Sequence, residues 1–276
     1  MRLLQSNHPI LRGSRISFGT AALHHLHSAA DRQRLILAAA DAGITHFDTS
    51  PYYGFGIAES ALAVLASRAS TISVATKVGL YPPGGSDPST LGVWSRKAAG
   101  HIFSRLSRPL VDFHVARARA SLSGSLRRLS RERVDVLFLH EPHRELVETD
   151  EWMRWIEAEK DRIGAIGVAG EADRVLPFVK ARSPLATVVQ TRDSLIRQQA
   201  EPLRAAGRSP DITYGHLARP DAAGRITEIL EQTIERWPDT IILVSTRRVA
   251  RIRELECIVL TSEAPLQRGV PHDSRA

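Results

Sequence analysis

Three short segments hold the residues with the most chemistry in them. Phe47-Asp48-Thr49-Ser50-Pro51-Tyr52-Tyr53-Gly54 offers a carboxylate and a phenol, Ala75-Thr76-Lys77-Val78-Gly79 an amine, and Leu137-Phe138-Leu139-His140-Glu141-Pro142 an imidazole. Each segment follows, or ends, a short apolar run of the kind that makes a buried strand. Four such groups at the ends of neighbouring strands suit proton transfer to a carbonyl oxygen beside a hydride donor. The hydride must come from a nicotinamide, because no side chain supplies one. A free tyrosine has a pKa of about 10, high for a group that must give a proton in one direction and take it back in the other. A lysine ammonium nearby favours the phenolate and lowers that value, and a carboxylate keeps the lysine charged when partly buried. Tyr53, Lys77 and Asp48 are therefore expected to form one hydrogen-bonded chain, with a neutral His140 orienting the carbonyl. Taken singly, each residue has a plainer reading: a turn tyrosine, a solvated lysine, a capping aspartate, a core histidine. Four chemically matched groups ending three expected strands reverse that balance.

The elements that must position them are legible in the apolar pattern. Strands are expected near residues 15–18, 43–48, 71–76, 133–139, 164–168, 186–190, 211–214 and 241–245. Helical periodicity separates them. Ser28-Ala29-Ala30-Asp31 resembles a capping box ahead of a stripe of Leu35, Ile36, Ala39 and Ala40, and Gly43 suits a left-handed helix end. Further stripes run through Val115, Leu122, Leu126 and Leu129, through Trp152, Trp155 and Ile156, and through Ile252, Leu255 and Val259; stripes of this kind are core faces. Eight strands alternating with helices predict an α/β fold, a (β/α)8 TIM barrel of one domain over residues 1–276. Such a barrel collects every strand's C-terminal end on one face, where active sites of this architecture lie.

One connection is long. Residues 79–111 contain Pro82-Pro83-Gly84-Gly85 and then Arg96, Lys97, His101, Arg105 and Arg108. Directly after Lys77, it would hang over the active face as a substrate-shaping flap, or run as a surface loop. The polar stretch from about residue 261 reads as a loosely held tail.

The chain has 37 Lys and Arg against 30 Asp and Glu, a formal charge of +7. Much of the excess is arginine on helices, as at Arg117, Arg119, Arg127 and Arg128, so solvated faces account for it better than nucleic acid. No zinc-finger or RNP-type motif is present, and no metal site is expected. With the single cysteine Cys257, no secretory leader recognised and no membrane-length apolar run, a cytoplasmic protein is expected. The pattern leaves oligomeric state open.

The order and spacing of Asp48, Tyr53, Lys77 and His140 resemble the aldo-keto reductase family, whose Asp, Tyr, Lys and His tetrad falls on them. Phe18-Gly19-Thr20-Ala21 is similar to the family's first strand and its cofactor-facing turn. Gly56-Ile57-Ala58-Glu59 resembles its next helix start, and Ile163-Gly164-Ala165-Ile166-Gly167-Val168 its fifth strand. Gln190 falls where the family binds the nicotinamide carboxamide, and Tyr214-Gly215-His216-Leu217 where a tyrosine stacks on the nicotinamide ring. The likeness runs from about residue 13 to about residue 260. The Pro-Tyr-Tyr-Gly and Leu-His-Glu-Pro forms are most similar to the sugar and pyridoxal dehydrogenase branch.

The resemblance implies an NAD(P)H-dependent oxidoreductase interconverting an aldehyde, ketone or sugar lactone with the matching alcohol or lactol, Tyr53 being the general acid and base. It implies cofactor contacts at Gly19, Thr20, Ala21, Ala169, Gly170, Gln190, Tyr214, Ser245, Thr246, Arg247, Arg248 and Arg251. The three arginines suit a ribose 2′-phosphate, which puts NADPH ahead of NADH, with NAD the other candidate. They also load positive charge onto a helix N-terminus, an arrangement that an anionic partner would relieve. The chain departs from the family where Ser-Asn commonly follows strand five, here Ala169-Gly170, and at Leu255, where a late asparagine is usual. Two other readings therefore stay open. One is a non-catalytic nucleotide-binding or regulatory protein on the same fold. The other is a lyase using Lys77 as a Schiff base, which would leave Asp48 and Tyr53 without a clear role.

Overall fold

A computed structural model describes residues 13–82, 109–218, 222 and 224–261. Most of the expected flap, at 83–108, and the tail from residue 262 lie outside the described residues. Eight parallel strands close into a barrel: β1 Ile16–Gly19, β2 His46–Asp48, β3 Ser73–Val78, β6 Val134–His140, β7 Ile163–Gly170, β8 Val188–Arg192, β9 Ile212–Tyr214 and β10 Ile241–Val244. The order round the barrel is β1-β10-β9-β8-β7-β6-β3-β2. A two-residue antiparallel pair, β4 Leu80–Tyr81 with β5 Leu110–Val111, forms the stem of the long connection, so its described ends are strands.

The helices α1 Ala29–Asp41, α2 Ile57–Leu62, α3 Val115–Leu129, α4 Thr149–Ala158, α5 Ala172–Lys180, α6 Glu201–Ala205, α7 Ile226–Arg236 and α8 Val249–Thr261 fall between and after the strands. The Ser28 hydroxyl accepts from Asp31 N–H at 3.3 Å to open α1, and Gly43 follows it at φ 88°. The expected apolar stripes face inward: Leu35, Leu122, Trp152 and Leu255 are each at most 1% exposed.

Alternation along each strand sorts side chains to the inside or outside of the barrel. Ala75, Val136, Phe138, Ala165, Ala169, Val188, Ile212 and Ile241 form one buried cluster inside it, while a larger cluster including Phe18, Phe47, Leu137, Leu139 and Val168 packs under the helices. Lys77 stands two residues after Ala75, and His140 two after Phe138. The same parity therefore carries the two polar groups inward at the strand ends. The expected strands 71–76, 133–139, 164–168 and 186–190 stop one or two residues short of the observed ends. Lys77 and His140 fall just past the expected ends, yet pairing continues through Lys77↔Phe138 and His140↔Ala169, and β8 runs on past Gln190 through Thr191 and Arg192.

Candidate active site

The register sets the site. Gly19 pairs with Asp48, and Asp48 with Ala75, so β1 and β2 end together while β3 runs three residues further and carries Lys77 beyond that level. Asp48 and Lys77 are 1% and 3% exposed. The Lys77 ammonium donates to Asp48 Oδ1 at 2.5 Å and to the Thr49 carbonyl at 2.9 Å. Burial lowers the lysine's pKa, and the Asp48 carboxylate opposes that shift. Beside Lys77, the Thr76 hydroxyl donates to the fully buried Glu59 at 2.7 Å, and Arg128 Nε donates to the other Glu59 oxygen at 2.7 Å. This tie fixes the end of β3 against α2 and α3.

Tyr53 comes from the turn after β2. Its ring lies 5.0 Å from Lys77 Nζ and edge-on to His140, with ring centroids 5.9 Å apart. The phenol's pKa differs from expectation. Burial, then the Asp48 and Glu141 charges, push it well above its ordinary value. Lys77 spends its charge on Asp48 and Thr49, so its effect on the phenol does not prevail. Tyr53 is held neutral. His140 is held neutral too, its pKa driven well down by burial and by Lys77, and its Nδ1 is buried without a hydrogen-bond partner.

These groups floor a cavity of about 490 Å³, within the size range of small-molecule sites. Of the residues expected from sequence, Asp48, Tyr53, Lys77, His140, Gly19, Ala21, Ala169, Gly170, Gln190, Tyr214 and Ser245 all line it. Thr20 does not: it is fully buried, and its hydroxyl donates to the Asp48 carbonyl at 2.9 Å, tying the loop after β1 to the end of β2. Thr246, Arg247, Arg248 and Arg251 also stand off the cavity. Thr246 accepts from Arg248 N–H at 3.1 Å, Arg247 and Arg248 are exposed, and Arg251 is half-buried with Glu254 at 3.3 Å. Leu255 is core, 1% exposed. The small residues have a steric reason: a Cβ on Gly19 would meet Ser245 Oγ at 2.6 Å.

Among the lining residues that were not expected, Glu141, Glu171 and Arg192 carry charge. Glu141 follows His140, and Arg192 stands two residues beyond Gln190 on the same strand. Strand parity would have found Arg192; nothing in the apolar pattern marks Glu141. Arg192 Nε lies 3.1 Å from Glu171 Oε1, and its guanidinium sits 5.8 Å from the Tyr214 ring centroid.

A (β/α)8 barrel with a buried Asp–Lys pair, a neutral tyrosine and a neutral histidine at the strand ends defines the class of protein. The chain matches the model of the Aldo/keto reductase family over residues 15–214, and it belongs to that family. It is 36% identical over 136 residues to a D-threo-aldose 1-dehydrogenase from a Pseudomonas species, across 47% of this chain and 40% of that protein. It is 27% identical over 237 residues to an aldo-keto reductase from Bacillus subtilis, across 82% of this chain and 64% of that protein. The chain thus spans less than two thirds of the length of these curated relatives. An aldo-keto reductase from Klebsiella pneumoniae solved in complex with NADPH shares its fold at a TM-score of 0.64 and 18% identity, covering 90% of this chain and 86% of that one. Among the described residues no helix is long and apolar enough to cross a membrane.

Proposed function

We propose that the protein is a nicotinamide-dependent oxidoreductase that interconverts an aldehyde, ketone or sugar lactone with the matching alcohol or lactol. The observation that carries this reading is the buried tetrad itself: a neutral phenol edge-on to a neutral imidazole, over an Asp–Lys pair that satisfies itself. Family membership, the aldose 1-dehydrogenase relative and the NADPH-bound neighbour support it.

The cavity fits the cofactor on its own chemistry. Gln190 is 1% exposed, and its Oε1 is buried without a partner although its Nε2 donates to Asp48 Oδ2 at 3.2 Å. Gly19, Ala21, Ala169 and Gly170 leave room for a flat ring, and Tyr214 offers an aromatic face. A nicotinamide, when bound, supplies or takes the hydride. Tyr53 gives its proton to the carbonyl oxygen in reduction and takes it back in oxidation; a pKa above the ordinary value keeps the proton in place until it is needed. His140, uncharged, orients the carbonyl through a ring nitrogen. Asp48 and Lys77 present a net-neutral pair beneath the phenol.

NADPH is proposed ahead of NADH on Arg247, Arg248 and Arg251 at the start of α8. The single cysteine, Cys257, supports a cytoplasmic setting. A Schiff-base role for Lys77 is disfavoured, because its ammonium is 3% exposed and engaged by two acceptors. Titration with NADPH and NADH, followed by an aldehyde and aldose panel at saturating cofactor, tests the reading. Dinucleotide binding with turnover of some member is expected. Binding without any turnover would favour a regulatory protein on the same fold.

A further inference from the structure

At the end of β6 the chain turns through Glu141, whose φ is 49°. That left-handed conformation costs a non-glycine residue energy and persists where the surroundings over-determine it. The Glu141 N–H donates to the Ala169 carbonyl at 2.7 Å. Held so, the side chain reaches over the end of β7, where Oε2 accepts from Glu171 N–H at 3.1 Å. The carboxylate fills the space a side chain at position 170 would need: a Cβ on Gly170 would meet Oε2 at 2.5 Å and Cδ at 2.9 Å. The other oxygen, Oε1, has no hydrogen-bond or ion-pair partner among the described residues.

One strand beyond β7, Gln190 carries a second acceptor without a donor, its buried Oε1. Pairing sets His140, Ala169 and Gln190 side by side, so Glu141 and Gln190 flank the side-chain-poor end of β7. Both line the cavity. A partly buried carboxylate oxygen left without a donor is costly, and a hydrogen bond to a charged acceptor is among the stronger ones. Glu141 Oε1 is open to solvent, so water can serve it in an empty cavity, and a molecule that displaces that water has to bring the donor in its place.

We propose that Glu141 is a ligand-recognition residue whose free carboxylate oxygen accepts a hydrogen bond from a neutral N–H or O–H donor on the molecule in the cavity. This rests on the oxidoreductase reading, under which the donor comes from one of two sources: the carboxamide of a nicotinamide, or a hydroxyl of a polyhydroxylated substrate. An anionic group is rejected at the same spot by charge. Glu141→Gln keeps the volume. With its amide oxygen taken by the Glu171 N–H, it turns an NH2 toward the cavity and offers no acceptor.

The test uses wild type, Glu141→Gln and Glu141→Leu, each checked for an unchanged circular-dichroism spectrum. Calorimetry measures binding of NADPH or NADH, whichever binds tighter, and of its 3-acetylpyridine analogue, in which a methyl ketone replaces the carboxamide and leaves no N–H donor. A second arm compares KM for glyceraldehyde and for propanal. Wild type is expected to prefer the carboxamide dinucleotide by roughly tenfold or more, and both variants to bind the two dinucleotides alike. If that preference survives substitution while the KM preference for glyceraldehyde collapses, the donor is a substrate hydroxyl. Unchanged ratios in both arms overturn the assignment of Glu141 while leaving the oxidoreductase reading intact. A wild type that binds no dinucleotide removes that reading and this inference with it. If Glu141→Leu misfolds, Glu141→Gln alone decides.

Discussion

The two walls of the cavity are built on different plans. On the side of β2, β3 and β6, charged groups satisfy one another. Lys77 donates to Asp48 and Thr49, and Glu59 accepts from Thr76 and Arg128. On the side of β7, β8 and β9, side chains are small or polar atoms are left over. Gln190 Oε1 and His216 Nδ1 are buried without partners, while His216 Nε2 lies 3.0 Å from Thr213 Oγ1. In the first wall Asp48, Lys77 and Glu59 are paired before anything binds, as in a preorganised electrostatic site, while His140 Nδ1 on the same wall is left without a partner. The second keeps polar atoms without partners, which a ligand would satisfy under the proposed function. Under the proposal for Glu141, the acceptor at the side-chain-poor end of β7, Ala169-Gly170, is carried over from the end of β6.

The sharpest break in the comparison is to remove one atom from the first wall. Tyr53→Phe is expected to lower turnover by about 10²–10⁴-fold while dinucleotide affinity, set by the other wall, stays within twofold or so of wild type. Steady-state kinetics beside a binding titration reads both. Near wild-type turnover would remove Tyr53 as the acid.

Lys77→Met breaks the same wall through stability. It strands the Asp48 carboxylate, 1% exposed, without its cation. A loss of about 3–5 kcal/mol is expected, visible as a lower denaturation midpoint at unchanged slope, together with loss of most activity. A borohydride-trapped substrate adduct on wild-type Lys77 would instead favour the lyase chemistry.

Acid should loosen both walls. Burial pushes His46 and His216 down to about 4 from 6.5, and His140 well below its ordinary value. The unfolded chain therefore binds protons on these histidines before the folded one does. Their contribution to stability is full above the unfolded value of 6.5 and declines as pH falls from there toward 4. The slope is about 1.4 kcal/mol per pH unit for each histidine that stays neutral. Denaturant titrations at pH 7.5 and 5.5 measure it; equal midpoints would show that these imidazoles are not held neutral.

The smallest expected effect sharpens the proposed ligand side. Arg251→Ala should weaken NADPH by roughly tenfold and leave NADH nearly untouched, less than a buried arginine would give, because Arg251 shares its charge with Glu254 at 3.3 Å. The preference should shrink as salt rises. Equal binding of both cofactors to wild type would move the phosphate contact away from this helix.

Sequence by itself determined a good deal here. Alternation of apolar runs with helical stripes is a local property of the chain, and it yielded eight strands and a barrel. The tetrad was legible because Asp48, Lys77 and His140 sit at the ends of runs whose parity points them inward. Expected strand ends fall short at β3, β6 and β8, because a polar residue in a strand looks like loop until its pairing is known, and at β7, because Ala169-Gly170 has little strand propensity of its own. Tertiary structure alone decided the rest. Tyr53's proton affinity rises rather than falls, since burial and two carboxylates outweigh a lysine already engaged elsewhere. Thr20, expected as a cofactor contact, is buried with its hydroxyl donating to the Asp48 carbonyl at the end of the adjacent strand. Glu141 entered the site because one left-handed residue swings its carboxylate over Gly170. Each outcome depends on which atoms from distant parts of the chain share a few cubic ångströms, and spacing along the sequence does not hold that information.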